Sequence, residues 1–349
     1  MTTSASPATA RSTVLTVDRL VTETADAVTI VFDRPDDPRF EYRPGQFLTL
    51  RIPSERTGAV ARCYSLCSAP HDDELAVTVK RTAEGYGSNW LCDNIRAGSR
   101  IEVLPPSGTF VPESDHEDLL LVGGGSGITP LMSILRTALE SGTGRVTLLY
   151  ANRDENSVIF ASALRALVER YPDRLTVVHW LASVQGIPTL AALTALLAPF
   201  ADRPAFVCGP APFMDTTHVA LDKLGVNRDR VHIEKFLSLS GDPFAEHDVD
   251  LTTAVAIDDR PAQALVKLDG QTHSLNWPRS LTLVDVLLAN GIVAPYACRE
   301  GECGSCVCTV IEGEVDMGPC EALDPADMAE GYILGCQARP TSDHVVIEY

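Results

Sequence analysis

Near the C-terminus the run Cys298-Arg299-Glu300-Gly301-Glu302-Cys303-Gly304-Ser305-Cys306 is followed, thirty residues on, by Cys336. Taken as ligands, these read C-x4-C-x2-C and then a distant cysteine, the spacing of a two-iron, two-sulfur cluster. No other stretch constrains the fold as much, because three thiolates on one tight loop must meet a fourth from another element. The small residues Gly301, Gly304 and Ser305 let backbone N–H groups turn toward the sulfurs and offset their charge. Four cysteines also suit tetrahedral zinc. Zinc ribbons and knuckles, however, pair their cysteines as two C-x2-4-C units, and this pattern does not. The spacing therefore describes a centre that passes single electrons, and the rest of the chain must say what feeds it.

A chain of 349 residues has room for two or three domains. Its 45% hydrophobic and 21% charged residues are those of a soluble globular protein. The balance is acidic, 28 basic against 47 acidic residues and a net charge of −19. From Gly241 onward 5 basic residues (Arg260, Lys267, Arg279, Arg299, Arg339) face 19 acidic ones, so −14 of the −19 lies in the part that holds the cysteine loop. Such a field excludes nucleic acid and anionic membranes as partners and would steer a basic protein surface toward the cysteines. The same excess also serves solubility. Residues 1–11, rich in Thr, Ser, Ala and Pro, read as a disordered leader and not as a secretory signal. The most apolar run, 119–135, is no membrane span, because its Gly and Pro residues divide it into strand, loop and helix. The ten cysteines are accordingly expected as reduced thiols in the cytoplasm.

Three patterns follow one another along the chain. Residues 12–113 carry short alternating or β-branched runs (27–32, 47–50, 75–79) punctuated by Pro44-Gly45 and Pro105-Pro106-Ser107-Gly108, which predicts a β-barrel or sandwich with one helix near Ser88. Residues 114–237 alternate strands at 119–122, 146–150, 175–181, 205–208 and 230–234 with helices at 130–140, 160–170, 190–200 and 212–224, the pattern of a parallel α/β sheet. Residues 238–252 have linker composition. Residues 253–349 predict strands near 254–257, 264–268, 307–312 and 345–349 crossed by one helix, 282–290, that ends at Gly291, which suits a small mixed sheet.

Two glycine turns stand at the ends of predicted parallel strands. Gly123-Gly124-Gly125-Ser126-Gly127-Ile128-Thr129-Pro130 joins a strand to a helix, where free N–H groups favour a phosphate. It is not the G-x-G-x-x-G fingerprint, since Ile128 stands where the last glycine belongs. A turn needed only for tight packing would look the same. Cys208-Gly209-Pro210 ends a later strand on the same edge, and two such loops describe a ligand crevice. In the first domain, Arg62-Cys63-Tyr64-Ser65 puts a cation and a ring on one face of an extended run, and Gly85-Tyr86-Gly87-Ser88 opens the helix. Alone, either suits an ordinary surface.

Taken together, Arg62-x-Tyr64-Ser65, Gly85-x-x-Ser88, Gly125-Ser126-Gly127-Ile128-Thr129-Pro130, Cys208-Gly209-Pro210, Glu234-x-Phe236 and the four cysteines resemble, in order and over nearly the whole chain, the ferredoxin-reductase superfamily. The arrangement is that of its oxygenase reductases, an antiparallel FAD barrel, an α/β NAD(P) domain and a C-terminal β-grasp ferredoxin of plant type. The resemblance implies that Arg62 holds the FAD pyrophosphate, Tyr64 packs on the isoalloxazine and Ser65 bonds near its reactive nitrogen. It gives Gly87 and Ser88 the pyrophosphate, with Lys80 assisting, and makes Gly125, Gly127, Gly209 and Pro210 the nicotinamide-nucleotide turns. Thr129 and Cys208 would border the nicotinamide, Ser65 and Cys208 being the catalytic pair, and Phe236 would cover the other flavin face. Cys298, Cys303, Cys306 and Cys336 would bind the 2Fe-2S cluster, while Cys63, Cys67, Cys92, Cys308 and Cys320 are packing residues.

The stretches 62–68, 85–91 and 106–112 look most like reductase components of 3-ketosteroid 9α-hydroxylases. That subgroup implies NADH in preference to NADPH, although Arg153 and Asp154, after the second α/β strand, offer one residue for each nucleotide. The function implied is electron transfer from NADH through FAD and the cluster to a separate terminal oxygenase whose basic surface meets the acidic ferredoxin domain. The same reductase serving a phenylacetyl-CoA or aromatic-ring oxygenase is the alternative, and an iron-sulfur redox sensor is the reading from another class.

Overall fold

In the computed structural model, which describes residues 12–239, 241–245, 260–318 and 320–349, the β-branched runs of the first domain form strands β1 (Thr13–Thr24), β2 (Ala27–Asp33), β3 (Phe47–Ser54), β4 (Gly58–Ser65), β5 (Glu74–Lys80) and β6 (Arg100–Ser107). Their order in the sheet is β4-β3-β6-β1-β2-β5. β1 runs antiparallel to β2 and β6, and β2 antiparallel to β5. The two ends then meet, for Leu66 bridges Val77 and the Cys67 N–H donates to the Ala76 carbonyl at 2.8 Å. A sheet closed on itself leaves no edge to aggregate, which is the barrel expected. Ile30, Phe32, Leu48, Leu50, Ile52, Leu75 and Val77 fill it and are fully buried. The single helix of this part, α1 (Tyr86–Asn94), starts two residues before Ser88.

Strands β7 (Leu119–Gly124), β8 (Val146–Asn152), β9 (Leu175–Leu181), β10 (Ala205–Cys208) and β11 (Val231–Glu234) form a parallel sheet in the order β11-β10-β7-β8-β9. Helices α2 (Ile128–Glu140), α3 (Ala161–Arg170), α4 (Ala182–Gln185), α5 (Leu190–Leu197) and α6 (Ala211–Lys223) connect them. Alternation along β7 supplies both faces: Leu119 and Leu121 join one core, Leu120 and Val122 the other. The chain winds outward from β7 through β8 to β9, then returns to place β10 on β7's other side. That reversal opens a crevice between the carboxyl ends of β7 and β10, where both glycine turns lie. The barrel and this sheet share buried contacts. Ser133 Oγ donates to the Ser68 carbonyl at 2.6 Å, Phe110 meets Phe206 edge-on at 5.2 Å, and Ala27, Val31, Cys67 and Ala76 of the barrel belong to the same core as α2.

The C-terminal part contains β12 (Ala262–Leu268), β13 (Gln271–Trp277), α7 (Leu283–Ala289), β14 (Val307–Glu312), β15 (Val315–Met317), α8 (Pro325–Ala329), β16 (Tyr332–Leu334), β17 (Ala338–Pro340) and β18 (His344–Glu348). Five strands make a mixed sheet, β13-β12-β18-β14-β16, in which β12 and β18 are parallel and the other pairs antiparallel. Leu283, Val286 and Leu287 of α7 pack against Ala264, Val266, Trp277, Val345 and Ile347. One helix across a mixed sheet is the β-grasp arrangement expected, to which β15 and β17 add a small second pairing. The expected leader 1–11 and the strand near 254–257 lie outside the described residues, as does most of the linker 238–252.

Candidate functional site

Cys298, Cys303 and Cys306 lie on the loop between α7 and β14, and Cys336 lies between β16 and β17. Cys298, Cys306 and Cys336 are buried and Cys303 half-buried. The thiols lie within hydrogen-bonding reach of one another, Cys298 of Cys303 and Cys336, and Cys306 of Cys336. This sharing of protons holds the Cys298 and Cys306 thiols below, and the Cys303 and Cys336 thiols above, their ordinary range. Four thiols that compete for protons in one space are placed to give them up to a cationic centre.

The loop around them is wound to aim amides inward. Gly301 and Gly304 take φ of 80° and 70°, where a side chain would be strained. The Glu300 N–H points at Cys298 Sγ at 3.3 Å and the Cys298 N–H at Cys303 Sγ at 3.4 Å. Ser305 Oγ lies 3.3 Å from Cys303 Sγ, and Gln337 Nε2 reaches Cys336 Sγ at 3.5 Å and the Arg299 carbonyl at 3.0 Å. Donors on the sulfurs and small residues between them fit a 2Fe-2S cluster, which these cysteines would hold. Cys308 faces the sheet core with Ala264 and Ile347, so it packs, as expected. The ten cysteines are all free thiols.

In the barrel, β4 ends on Arg62-Cys63-Tyr64-Ser65. Ser65 is buried, and burial raises the Tyr64 phenol above its ordinary range. Gly87 stands against Arg62, where an added Cβ would come 2.9 Å from Arg62 Cγ and 3.0 Å from Ile52 Cδ1. The helix N-terminus and the arginine thus lie side by side, a cradle suited to a pyrophosphate. Ser88 Oγ accepts from the Thr82 N–H at 3.1 Å and lies 3.3 Å from the Gly85 carbonyl, so its hydroxyl shapes the turn. Lys80, at the end of β5, has its Nζ 3.9 Å from where a Gly125 Cβ would be.

At the sheet's switch point the two glycine turns are pressed together. A Cβ on Gly127 would strike the Cys208 carbonyl and the Gly209 nitrogen, and one on Gly124 would lie 2.9 Å from Pro210 Cδ. Gly127 has a φ of −63°, so close approach alone requires glycine there. Thr129 is buried and donates to the Ser126 carbonyl at 3.1 Å, closing the short 3-10 turn Gly125–Gly127 that precedes α2. Cys208 is fully buried, and desolvation with nearby Glu234 raises its thiol well above the usual value. Phe236, two residues past β11, is 48% exposed.

Three features had no sequence signal. Asp26 of the barrel pairs with Arg153 of the α/β sheet, Asp285 of α7 pairs with Arg299, and Arg136 of α2 grips Asp72 at 2.5 and 2.8 Å. His71, Asp72 and Glu140 approach one another closely enough for a metal. The Arg136 guanidinium, also 3.2 Å from Glu140, already supplies the positive charge those carboxylates would offer an ion. Among the described residues no helix is long and apolar enough to cross a membrane.

Family models for an oxidoreductase FAD-binding domain, an oxidoreductase NAD-binding domain and a 2Fe-2S iron-sulfur cluster binding domain match residues 14–111, 121–218 and 266–341. The chain is 61% identical, over the full length of both, to the ferredoxin reductase component of 3-ketosteroid-9-alpha-monooxygenase from Rhodococcus rhodochrous. It is 32% identical to one of the subunits of the 1,2-phenylacetyl-CoA epoxidase from Escherichia coli, over 96% of this chain and 97% of that one. Phthalate dioxygenase reductase has the same fold, with a TM-score of 0.57 at 22% identity over 97% of this chain and 98% of that structure.

Proposed function

We propose, for a chain that belongs to the family of ferredoxin reductase components of 3-ketosteroid-9-alpha-monooxygenases, that its own electrons end on the oxygenase of such a system. The chain is an NAD(P)H-dependent flavin and iron-sulfur oxidoreductase, the reductase component of a multicomponent monooxygenase whose terminal oxygenase is a separate protein. FAD bound there would supply acceptance of a hydride from the nicotinamide and release of single electrons, which would reconcile a two-electron donor with a one-electron cluster.

The residues divide this work. Arg62, Gly87 and Ser88 would hold the flavin pyrophosphate, Tyr64 and Ser65 its ring, and Phe236 its opposite face. Gly125, Gly127, Thr129, Gly209 and Pro210 would receive the nicotinamide nucleotide beside Cys208, with Lys80 at the same turn. Cys298, Cys303, Cys306 and Cys336 would carry the cluster. NADH is the donor in this reading. Residues 12–113, 114–237 and 253–349 are the three domains, and the cytoplasm keeps the thiols reduced.

The steroid reading rests on one observation, 61% identity over the whole chain against 32% to the phenylacetyl-CoA relative. For docking, the Glu321 and Ala322 N–H groups donate to the Gly301 carbonyl at 3.1 and 3.2 Å, which lays an acidic stretch with exposed Glu321, Asp324 and Glu330 against the cysteine loop. We take that stretch as the face that meets a basic oxygenase surface. The test is anaerobic reduction of the loaded protein by NADH and by NADPH, followed by turnover with purified steroid and phenylacetyl-CoA oxygenases. Turnover with the second alone would overturn the steroid assignment.

A further inference from the structure

Alternation along β18 turns Val345 and Ile347 into the sheet core, and Tyr349, directly after the strand, continues that face. Its N–H donates to the Lys267 carbonyl at 3.0 Å, which fixes the backbone there. The ring packs against the core, and the hydroxyl ends in an enclosed space with no hydrogen-bond partner among the described residues. Cys308 Sγ approaches it without the geometry of a hydrogen bond. A Cβ on Gly335 would strike Tyr349 Oη and lie 3.4 Å from the Cys306 carbonyl oxygen. The φ of Gly335 is not positive, so close approach, above all by the phenol, requires glycine there. Nor can that glycine yield, because its N–H donates to the Cys306 carbonyl at 2.9 Å and its carbonyl accepts from the Val284 N–H at 3.0 Å. The phenol is thus held behind the residue that is joined to Cys336 and bonded to Cys306.

A buried hydroxyl without a partner is costly. Phenylalanine would fill the same ring volume without that cost and would leave more room at residue 335. Burial, with the charge that Cys308, Cys306 and Cys336 can carry nearby, raises the phenol well above its usual range, so it keeps its proton and remains a donor. The donors on the loop side reach Cys298, Cys303 and Cys336, whereas this one comes from the sheet. An added electron makes an iron-sulfur centre more negative, and a donor beside its sulfurs steadies that form more than the oxidised one. We propose that the Tyr349 hydroxyl raises the reduction potential of the cluster by offering its O–H dipole on the side of Cys306 and Cys336. The inference rests on the reading of the four cysteines as a 2Fe-2S site, and deepens it.

The experiment is an EPR-monitored redox titration of full-length loaded protein, wild type against Tyr349→Phe, Gly335→Ala and the double variant, with iron content and the flavin couple read on the same samples. Tyr349→Phe keeps the ring and removes one donor. The reduced-to-oxidised ratio of the cluster at a fixed potential should fall about fivefold, the worth of one hydrogen bond, which is a drop of about 40 mV for a one-electron couple. The flavin couple should not move. Gly335→Ala should lower the cluster potential as well, since its methyl group displaces the phenol, and should add little in the Tyr349→Phe background. An unchanged or raised potential in iron-replete Tyr349→Phe overturns the proposal, and so does an equal shift of the flavin couple. If Tyr349→Phe does not retain iron, Gly335→Ala answers the same question by the same reading. A wild type that takes zinc and gives no EPR signal on reduction overturns the cluster reading and this proposal together. A wild type with the signal keeps the cluster reading whatever the variants do.

Discussion

Arg299, inside the cysteine loop, forms an ion pair with Asp285 in the first turn of α7, and both side chains are largely enclosed at 12% and 19% exposure. Asp285 is doubly used. Its other oxygen accepts from Thr282 Oγ1 at 2.6 Å and completes a capping box, so one carboxylate starts the helix and anchors the loop. Arg299 takes a φ of 63°, held by the pair, by its guanidinium over the Tyr296 ring at 5.6 Å and by its carbonyl's bond to Gln337. Arg299→Ala should destabilise the ferredoxin part by about 2 kcal/mol, below the value for a fully buried pair because some solvent screening remains. Arg299→Gly should cost about 1 kcal/mol less, since glycine takes that φ without strain. The check is the rate at which an iron chelator bleaches the cluster's visible absorbance, expected fastest for Ala, intermediate for Gly and slowest for the wild type. Equal rates for Ala and Gly would mean that the backbone there stores no strain.

Cys303→Ser separates the two ends of the electron path. Cys303 sits in the ferredoxin part, and the Arg62, Gly87 and Gly127 turns are built without it. The variant should lose delivery to the oxygenase, while NADH oxidation by ferricyanide stays within about twofold of wild type, because acceptors of this kind take electrons from the flavin. Loss of both activities in folded, FAD-replete protein would show that the flavin does not precede the cluster.

Much of this was legible because the chemistry imposes spacing. A cluster bound as proposed would fix Cys298, Cys303, Cys306 and Cys336 relative to one another, and parallel strands must alternate with helices, so both patterns survive in one dimension. Boundaries were less legible. A helix start at Pro130 follows from the preference of proline for a first turn. The structure begins α2 at Ile128, after a 3-10 turn, and leaves Pro130 where its missing N–H is still not needed. The hairpin of β12 and β13 does carry a local signal: Asp269 and Gly270, at φ of 50° and 73°, are the residues a tight hairpin turn demands. In strand β13 only Leu275 and Trp277 mark the buried face, and the polar run Thr272, His273 and Ser274 before them hides the strand in the sequence. Asp26 and Arg153 lie 127 positions apart, and no local pattern marks a contact made by folding alone.

Gly127→Ala tests the pressed turns at the switch point. The added Cβ would meet backbone on the Cys208 side, and backbone cannot yield as the tip of a side chain does. The Gly125–Gly127 turn must then draw back from the Cys208-Gly209 turn, which widens the crevice proposed for the nicotinamide. The KM for NADH should rise by about tenfold or more, as displacements near 1 Å at reacting geometry cost up to about a hundredfold in rate. FAD content should remain that of wild type, since Arg62 and Gly87 lie on other elements. Unchanged KM with full FAD loading would remove the nucleotide from this crevice.

Glu234 ends β11 opposite Cys208 in the parallel register, and burial pushes its carboxyl up to about 8. At neutral pH the half-buried Glu234 is therefore a carboxylic acid beside the buried Cys208 thiol, and neither carries charge. A folded pKa above the unfolded value of 4.5 means that the folded state binds more protons between those two values. The contribution to stability is full below pH 4.5 and is lost as pH climbs to about 8, with a slope of at most about 1.4 kcal/mol per pH unit. Glu234→Gln has the shape of the neutral acid and no proton to lose. Its melting temperature, relative to wild type, should therefore rise steadily between about pH 5 and 8, while the other titrating groups cancel in the difference. A difference that stays constant across that range would show that the Glu234 carboxyl ionises as an exposed glutamate does, and that the Cys208 thiol has a charged neighbour at physiological pH.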